Sequence, residues 1–556
     1  EMIRLNRLMS IQIDFDPAEY VFTTFTGAWA REMHRSDTRM EAGKHVNASY
    51  TGTSSSRANP FVMITKTDTT EDTGECYGCN LIYSGNHYEA AEVSGYGKMR
   101  LTAGINPQSF SWLLAPGENF AAPEAVMAYS CEGYNGMSQC MHAFVREHIV
   151  RGAFKHKVRP VLLNSWEAAY FDINERKLLA LAKKAKEAGV ELFVMDDGWF
   201  GERNDDAHSL GDWEVNEKKL PGGLAGLGRK IKALGLDFGI WVEPEMISED
   251  SDLYREHPDW ALTIPGRNPV HARNQLVLDF SRKEVVDHIF DQICKVLDQG
   301  NIEYVKWDMN RSLMDVFSRG TDDQGRVMYD YVLGLYDFLE RIVTRYPDLL
   351  IEGCSGGGGR FDAGMMYYTP QIWCSDNTDA LDRLQIQYGT SFGYPVSAVG
   401  SHVSAVPNHQ TGRITSLHTR GVVAMAGTFG YELNLGKLSE EEKQEIRLQV
   451  EEYRKFAPLI QTGLYYRLSD PAREEYAAWA FVSEDQKEVL LNVVLQEIHG
   501  NMTVNYVQLR GLDESALYKE QTTGRIYSGA ALMHGGMPLP AEFGEYRAYQ
   551  YHFVRE

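Results

Sequence analysis

The octapeptide Tyr304–Arg311, Y-V-K-W-D-M-N-R, places a cation, a flat apolar ring and a carboxylate at the end of a strand-forming run (Ile302, Tyr304, Val305). Burying ionisable groups is costly, so packing alone rarely selects such a cluster. Asp308 is read as a nucleophile or base. Lys306, two residues back on the same face of the strand, would hold it ionised. A capped strand end with a surface salt bridge would use the same residues without chemistry. Other apolar runs also close in acids: Asp196 and Asp197 after L-F-V-M, Glu243 and Glu245 around G-I-W-V, Glu352 after L-L-I, and Asp376 and Asp379 after I-W-C-S. Desolvation behind the Trp-Cys-Ser run would raise the pKa of Asp376, which suits a proton donor.

Trp166, Trp199, Trp241, Trp307 and Trp373 accompany these acids. Tryptophan stacks on the flat C–H face of a sugar ring, while carboxylates, Lys and Arg grip its hydroxyls. Glycoside cleavage needs two carboxyl groups flanking one anomeric carbon. The pattern therefore points to a glycoside pocket, and the alternative is that some of the rings only fill a barrel mouth. The glycine run Gly356–Gly359 ends in Arg360 rather than Gly-Lys-Ser/Thr, so it does not make a phosphate loop of the Walker type. It would let backbone approach a ligand closely or turn without side chains. His402 and His409 either line the pocket or bond loop backbone.

Elements that could hold such ends in a ring follow from the periodicity. Strands are expected at Val158–Leu163, Leu192–Met195, Phe238–Val242, Tyr304 onward, Leu349–Glu352, Ile372–Cys374 and Val396–Val399, with a further buried element at Gly421–Gly427. Helices are expected at Glu175–Ala188, Leu224–Leu234, Lys283–Leu297 and Asp330–Tyr346. Alternation of this kind means a parallel sheet, and its length and count suit a closed (β/α)8 TIM barrel over residues 156–460. No GxGxxG fingerprint follows the first strand, which argues against a dinucleotide fold. Residues 1–155 read as a β-sandwich or part of one, from runs such as Tyr20–Phe25, Phe61–Thr65, Asn80–Tyr83 and Phe110–Leu114. Residues 461–556 read as a small antiparallel β-sandwich with strands at Ala477–Val482, Val489–Val494 and Met502–Leu509. The fold class is thus α/β with two β domains flanking the barrel.

The 556 residues carry 55 Lys plus Arg against 77 Asp plus Glu, a formal charge of −22. Such a surface repels polyanions, so neither nucleic acid nor anionic membrane is an expected partner, whereas a neutral small molecule is compatible. No apolar run reaches the length of a membrane span, and no signal peptide is expected at Glu1. Seven scattered cysteines suggest reduced thiols and a cytoplasmic setting. Cys76-Tyr-Gly-Cys79 has metal or redox spacing but lacks a second ligand pair, so no metal and no cofactor is expected.

The chain resembles glycoside hydrolase family 36 α-galactosidases of the bacterial, cytoplasmic kind. The motifs that carry the likeness are N-S-W-E-A-A-Y-F-D (164–172), D-D-G-W-F-G (196–201), L-G-D-W (210–213), W-V-E-P-E-M (241–246), R-N-Q-L-V-L-D (273–279), K-W-D-M-N-R (306–311), C-S-G-G-G-G-R-F-D (354–362), S-D-N-T-D (375–379) and G-S-H-V-S-A-V-P-N-H-Q (400–410). The resemblance implies a retaining attack on terminal α-linked galactose. Asp308 would be the nucleophile and Asp376 the acid/base. Asp196 and Asp197 would hold the 4- and 6-hydroxyls. Lys306, Arg273 and Asn310 would contact the ring, and Trp166, Trp199 and Trp241 would wall it. Cys354 and Gly357 would sit at the 2-hydroxyl, favouring galactose over N-acetylgalactosamine. The resemblance also implies a larger N-terminal β-supersandwich than is present here and allows a homo-oligomer. A loop of that domain, often from a neighbouring subunit, reaches the active site in tetrameric relatives and is expected to be missing. An α-N-acetylgalactosaminidase, a galactosyl transferase and a galactose-binding protein without turnover stay open as alternatives.

Overall fold

The structure, a computed structural model, describes residues 1–501, 503–542 and 544–556. Its centre is a closed barrel of eight parallel strands: Leu162–Asn164, Leu192–Met195, Asp237–Val242, Tyr304–Trp307, Leu350–Gly353, Gln371–Trp373, Val399–Ser404 and Thr428–Glu432. The eighth strand closes on the first through Leu162↔Gly430. Outer helices such as Glu175–Glu187 bury one stripe, whereas Leu417–Ala424 is buried almost throughout. In Glu175–Glu187 that stripe is Leu178, Leu181, Ala182 and Ala185, and the Asn174 side chain caps the first turn by accepting from Lys177 N. Lys283–Leu297 forms as its apolar spacing predicts.

Inside the barrel, inward residues alternate with outward ones. Phe154, Leu162, Leu192, Val194, Tyr304 and Leu350 form an apolar plug at the N-terminal end of the strands. Gly239 makes room for the plug, since a Cβ there would lie 2.7 Å from the Tyr304 ring. The sealed bottom leaves the C-terminal strand ends as the open face.

Two expected strands shift for local reasons. The first begins at Leu162 rather than Val158, because Pro160 has no N–H to give to a ladder. The seventh runs from Val399, and Val396–Ala398 is a 3₁₀ turn. The element expected at Gly421–Gly427 is the end of a helix, Leu417–Ala424, and the eighth strand follows it at Thr428.

The N-terminal region packs a five-stranded sheet, which includes Tyr20–Ala28, Arg31–Arg39 and Phe61–Lys66, against a four-stranded sheet, which includes Met9–Phe15 and Met99–Ile105. Phe22, Val62, Ile64 and Leu101 meet between them. Cys76 and Cys79 lie buried in the strand Cys76–Leu81, and burial pushes both thiols up to about 12, which makes them inert packing. The C-terminal region is a six-stranded sheet beside a two-stranded one, Tyr506–Val507 with Met537–Pro538. Part of the expected strand Met502–Leu509 falls on Met502, outside the described residues.

Candidate active site

The fourth strand is buried along its length and delivers Lys306 and Asp308 to the open face. Asp308 is held on both oxygens. Oδ1 accepts from Met309 N at 2.8 Å and Gly356 N at 3.2 Å. Oδ2 accepts from Trp241 Nε1 at 3.1 Å and Asn310 Nδ2 at 2.7 Å. Burial alone would raise its pKa, but Lys306, Arg273 and donors including the Cys354 thiol hold it below the ordinary carboxylate range. Glu243, buried beside it, moves the other way: burial and the charge on Asp308 push it up to about 7. Of these two neighbouring acids Glu243 holds its proton more tightly, and Asp308 is the one that ionises first.

Asp376 follows the sixth strand. Its Oδ1 accepts from Trp373 Nε1 at 3.1 Å and its Oδ2 from Trp29 Nε1 at 2.9 Å. Enclosure by the pocket walls and the charge on Asp308 push its pKa up. Asp308 and Asp376 face the same cavity of about 510 Å³. Such a volume suits a small polar ligand.

At the second strand end, Asp196 Oδ2 accepts from Asn164 Nδ2 at 2.7 Å and Lys306 Nζ at 3.1 Å. Lys306 is buried, yet Asp196, Cys354, Glu432 and Asp308 raise its pKa well above that of a free lysine, so it stays charged. Asp197 meets the buried Arg203 in a two-point contact, Nε to Oδ1 at 3.0 Å and Nη2 to Oδ2 at 2.9 Å. These pairs fix a row of acceptors and donors against one side of the cavity.

Of the residues expected from sequence, Asp308, Asp376, Asp196, Asp197, Trp166, Trp241, Arg273, Lys306 and Asn310 line this cavity together. Trp199 does not. It is fully buried behind the wall, where its Nε1 donates to the Trp241 carbonyl at 2.9 Å and its ring packs on Phe200 and Trp213. Its place is to support Trp241 rather than to meet a ligand. Cys354 is also buried, against Asp308. Gly357 lies outside the lining and touches the acid's own backbone: a Cβ on it would lie 2.6 Å from Asp376 N, and its φ is +79°. Gly357→Ala is therefore expected to displace Asp376 and lower kcat by about a hundredfold, as a shift near 1 Å does. The thermal midpoint should also fall, because the left-handed conformation disfavours a side chain. Kinetics and a melting curve on the variant check both.

Several lining residues were not singled out from the sequence. Glu432 ends the eighth strand and accepts from His402 Nδ1 at 3.1 Å. It was missed because that strand was not placed, although T-F-G-Y-E has a strand's composition. Glu167 accepts from Thr378 Oγ1 at 2.9 Å, and burial with the charge on Glu432 pushes its pKa up to about 8. Trp29 comes from the N-terminal hairpin and carried no local signal. An N-terminal loop thus does reach the site, from this same chain, contrary to the expectation that it would be missing.

Comparison with known proteins identifies the family. Family models match residues 119–463 (Melibiase), 1–115 (glycosyl hydrolase family 36 N-terminal domain) and 476–553 (the family 36 C-terminal domain). The chain is 56% identical over 552 residues to the bifunctional alpha-galactosidase/sucrose kinase AgaSK of Mediterraneibacter gnavus, covering 99% of this chain and 58% of that protein. It is 49% identical over 542 residues to alpha-galactosidase AgaA of Geobacillus stearothermophilus, covering 97% of this chain and 74% of the relative. The chain therefore spans a little over half of the first relative and about three quarters of the second. The crystal structure of AgaA superposes with a TM-score of 0.99 at 48% identity, covering 100% of this chain and 78% of that one. The chain belongs to glycoside hydrolase family 36.

Proposed function

We propose that the chain is an exo-acting, retaining α-galactosidase that removes terminal α-linked galactose from oligosaccharides of the melibiose and raffinose type. The observation that carries this reading is a carboxylate kept ionised and a second carboxyl with a raised pKa facing one closed-bottomed cavity. Structures of AgaA variants in complex with raffinose and with stachyose support the substrate class. In the first step Asp308 bonds to the anomeric carbon, the bond to the leaving oxygen breaks, and Asp376 gives that oxygen its proton. In the second, Asp376 takes a proton from water, the water oxygen bonds to the anomeric carbon, and Asp308 leaves. Asp196, Asp197, Lys306 and Arg273 hold ring hydroxyls, and Trp166 and Trp241 wall the sugar. Cys354, packed against Asp308, leaves a plain 2-hydroxyl as the fitting substituent. Seven unpaired cysteines support placing the reaction in a reducing compartment such as the cytoplasm.

The test is the anomer released at early times from 4-nitrophenyl α-galactoside, followed by proton NMR. The α-anomer of galactose is expected first; initial release of the β-anomer would make the enzyme inverting. The 2-acetamido analogue is expected to turn over at least about tenfold more slowly. A faster rate on that analogue would move the specificity to N-acetylgalactosamine.

A further inference from the structure

The hairpin tip between Tyr20–Ala28 and Arg31–Arg39 is sewn to the segment that carries Asp376. Besides the Trp29–Asp376 bond at 2.9 Å, Asn377 Nδ2 donates to the Ala30 carbonyl at 3.1 Å and Ser375 Oγ donates to Glu32 Oε2 at 2.5 Å. Glu32 Oε1 in turn accepts from Ala30 N at 3.1 Å. Ala30 and Met33 hold φ of 61° and 58°, a conformation that side chains disfavour and that persists only where surroundings enforce it. The barrel side is shaped to receive the tip. A Cβ on Gly389 would lie 1.8 Å from the Met33 carbonyl, and one on Gly358 would lie 3.5 Å from Glu32 Cγ. Burial does not account for Trp29, which is 61% exposed. Its one polar atom is nonetheless committed to Asp376.

We propose that Trp29 is a positioning residue for the acid/base step: its indole N–H, delivered from the N-terminal sandwich, holds Asp376 Oδ2 in line with the leaving oxygen. This rests on the reading of Asp376 as the acid/base. With Trp373 on Oδ1, the two indoles fix the plane of the carboxyl from opposite domains. Because both are donors, they also favour the ionised form, against enclosure and the negative charge of Asp308. Lys306 and Arg273 act on Asp376 in the same direction as the indoles, while Glu32 and the Cys354 thiol also face it.

The variant that isolates the N–H is Trp29→Phe, which keeps a ring at the pocket mouth. Losing a donor to the carboxylate raises the pKa of Asp376, and the alkaline limb of kcat/KM reports that pKa in the free enzyme. The limb is expected to move up by about one pH unit. At neutral pH the loss in kcat/KM should be about tenfold on raffinose and small on 4-nitrophenyl α-galactoside, whose leaving group needs no proton. An unmoved limb with equal losses on both substrates would make Trp29 a stacking surface only and overturn the proposal. Asp376→Gly with azide, run in parallel, separates the two readings. If azide fails to rescue it, the acid/base assignment falls and this inference falls with it. If azide rescues it and the Trp29→Phe limb stays put, only the role of Trp29 falls.

Discussion

Asp308→Gly is expected to lower kcat by on the order of 10⁴–10⁶-fold on any α-galactoside while the protein stays folded. Among the protein's side chains it alone bonds to carbon in the proposed reaction, and no neighbour can take its place. Glu243 is adjacent, but burial disfavours its ionised form, and its carboxyl already accepts from Gln275 Nε2 at 2.7 Å and from Asn310 N. Removing Asp308 leaves Trp241 Nε1, Asn310 Nδ2 and two backbone N–H groups aimed at an empty volume. Lys306 and Arg273 remain beside it. That volume suits a small anion. Azide should enter it, attack the anomeric carbon from the vacated side, and give β-galactosyl azide from 4-nitrophenyl α-galactoside. Mass spectrometry and NMR of the product check this. Formation of the α-azide instead would exchange the roles of the two acids.

Much of this site was legible because barrel chemistry is written at strand ends. Lys306 and Asp308, Asp196 and Asp197, and Trp373 with Asp376 each occupy a few consecutive residues after an apolar run, and local order fixes their direction. The barrel class followed from the same alternation of period two and period 3.6. What escaped notice depends on contacts far apart in sequence. Trp29 and Asp376 are 347 residues apart, and nothing in T-G-A-W-A-R says which carboxylate the indole will meet. Trp199 shows the converse. Its position after Asp197 made it look like a pocket wall, but Gly198, at φ 109°, turns the chain so that the ring is buried behind Trp241. From its composition the glycine run reads as permissive, and the resemblance adds only Gly357 at the 2-hydroxyl. The structure gives it specific work: Gly356 N bonds Asp308, and Gly357 abuts the Asp376 backbone. A backbone donor to one acid and a close approach to the backbone of the other depend on the fold around each glycine, which no propensity scale reports.

Asp376→Gly is expected to fail differently, because its two jobs depend unequally on the substrate. Protonating the leaving oxygen matters for a sugar alcohol and hardly at all for nitrophenolate, which departs as an anion. General acid catalysis contributes roughly 10²–10⁴-fold, so that loss should appear in full on raffinose. On 4-nitrophenyl α-galactoside the first step should survive, and the second should become limiting for want of a base. The visible signature is a burst of nitrophenolate followed by slow turnover, with a lowered KM as the galactosyl-enzyme accumulates. Azide needs no base. It should restore the second step and, attacking from the face opposite Asp308, give α-galactosyl azide. The position of the anion is favourable, since Trp29 Nε1 and Trp373 Nε1 would both point at the vacated site. Equal losses on the two substrates, with no burst and no rescue, would mean that the proton reaches the leaving oxygen from elsewhere. The pocket offers one other carboxyl with a strongly raised pKa among its lining residues, Glu167, pushed up to about 8, and Glu167→Gln would then be the variant to carry the leaving-group dependence.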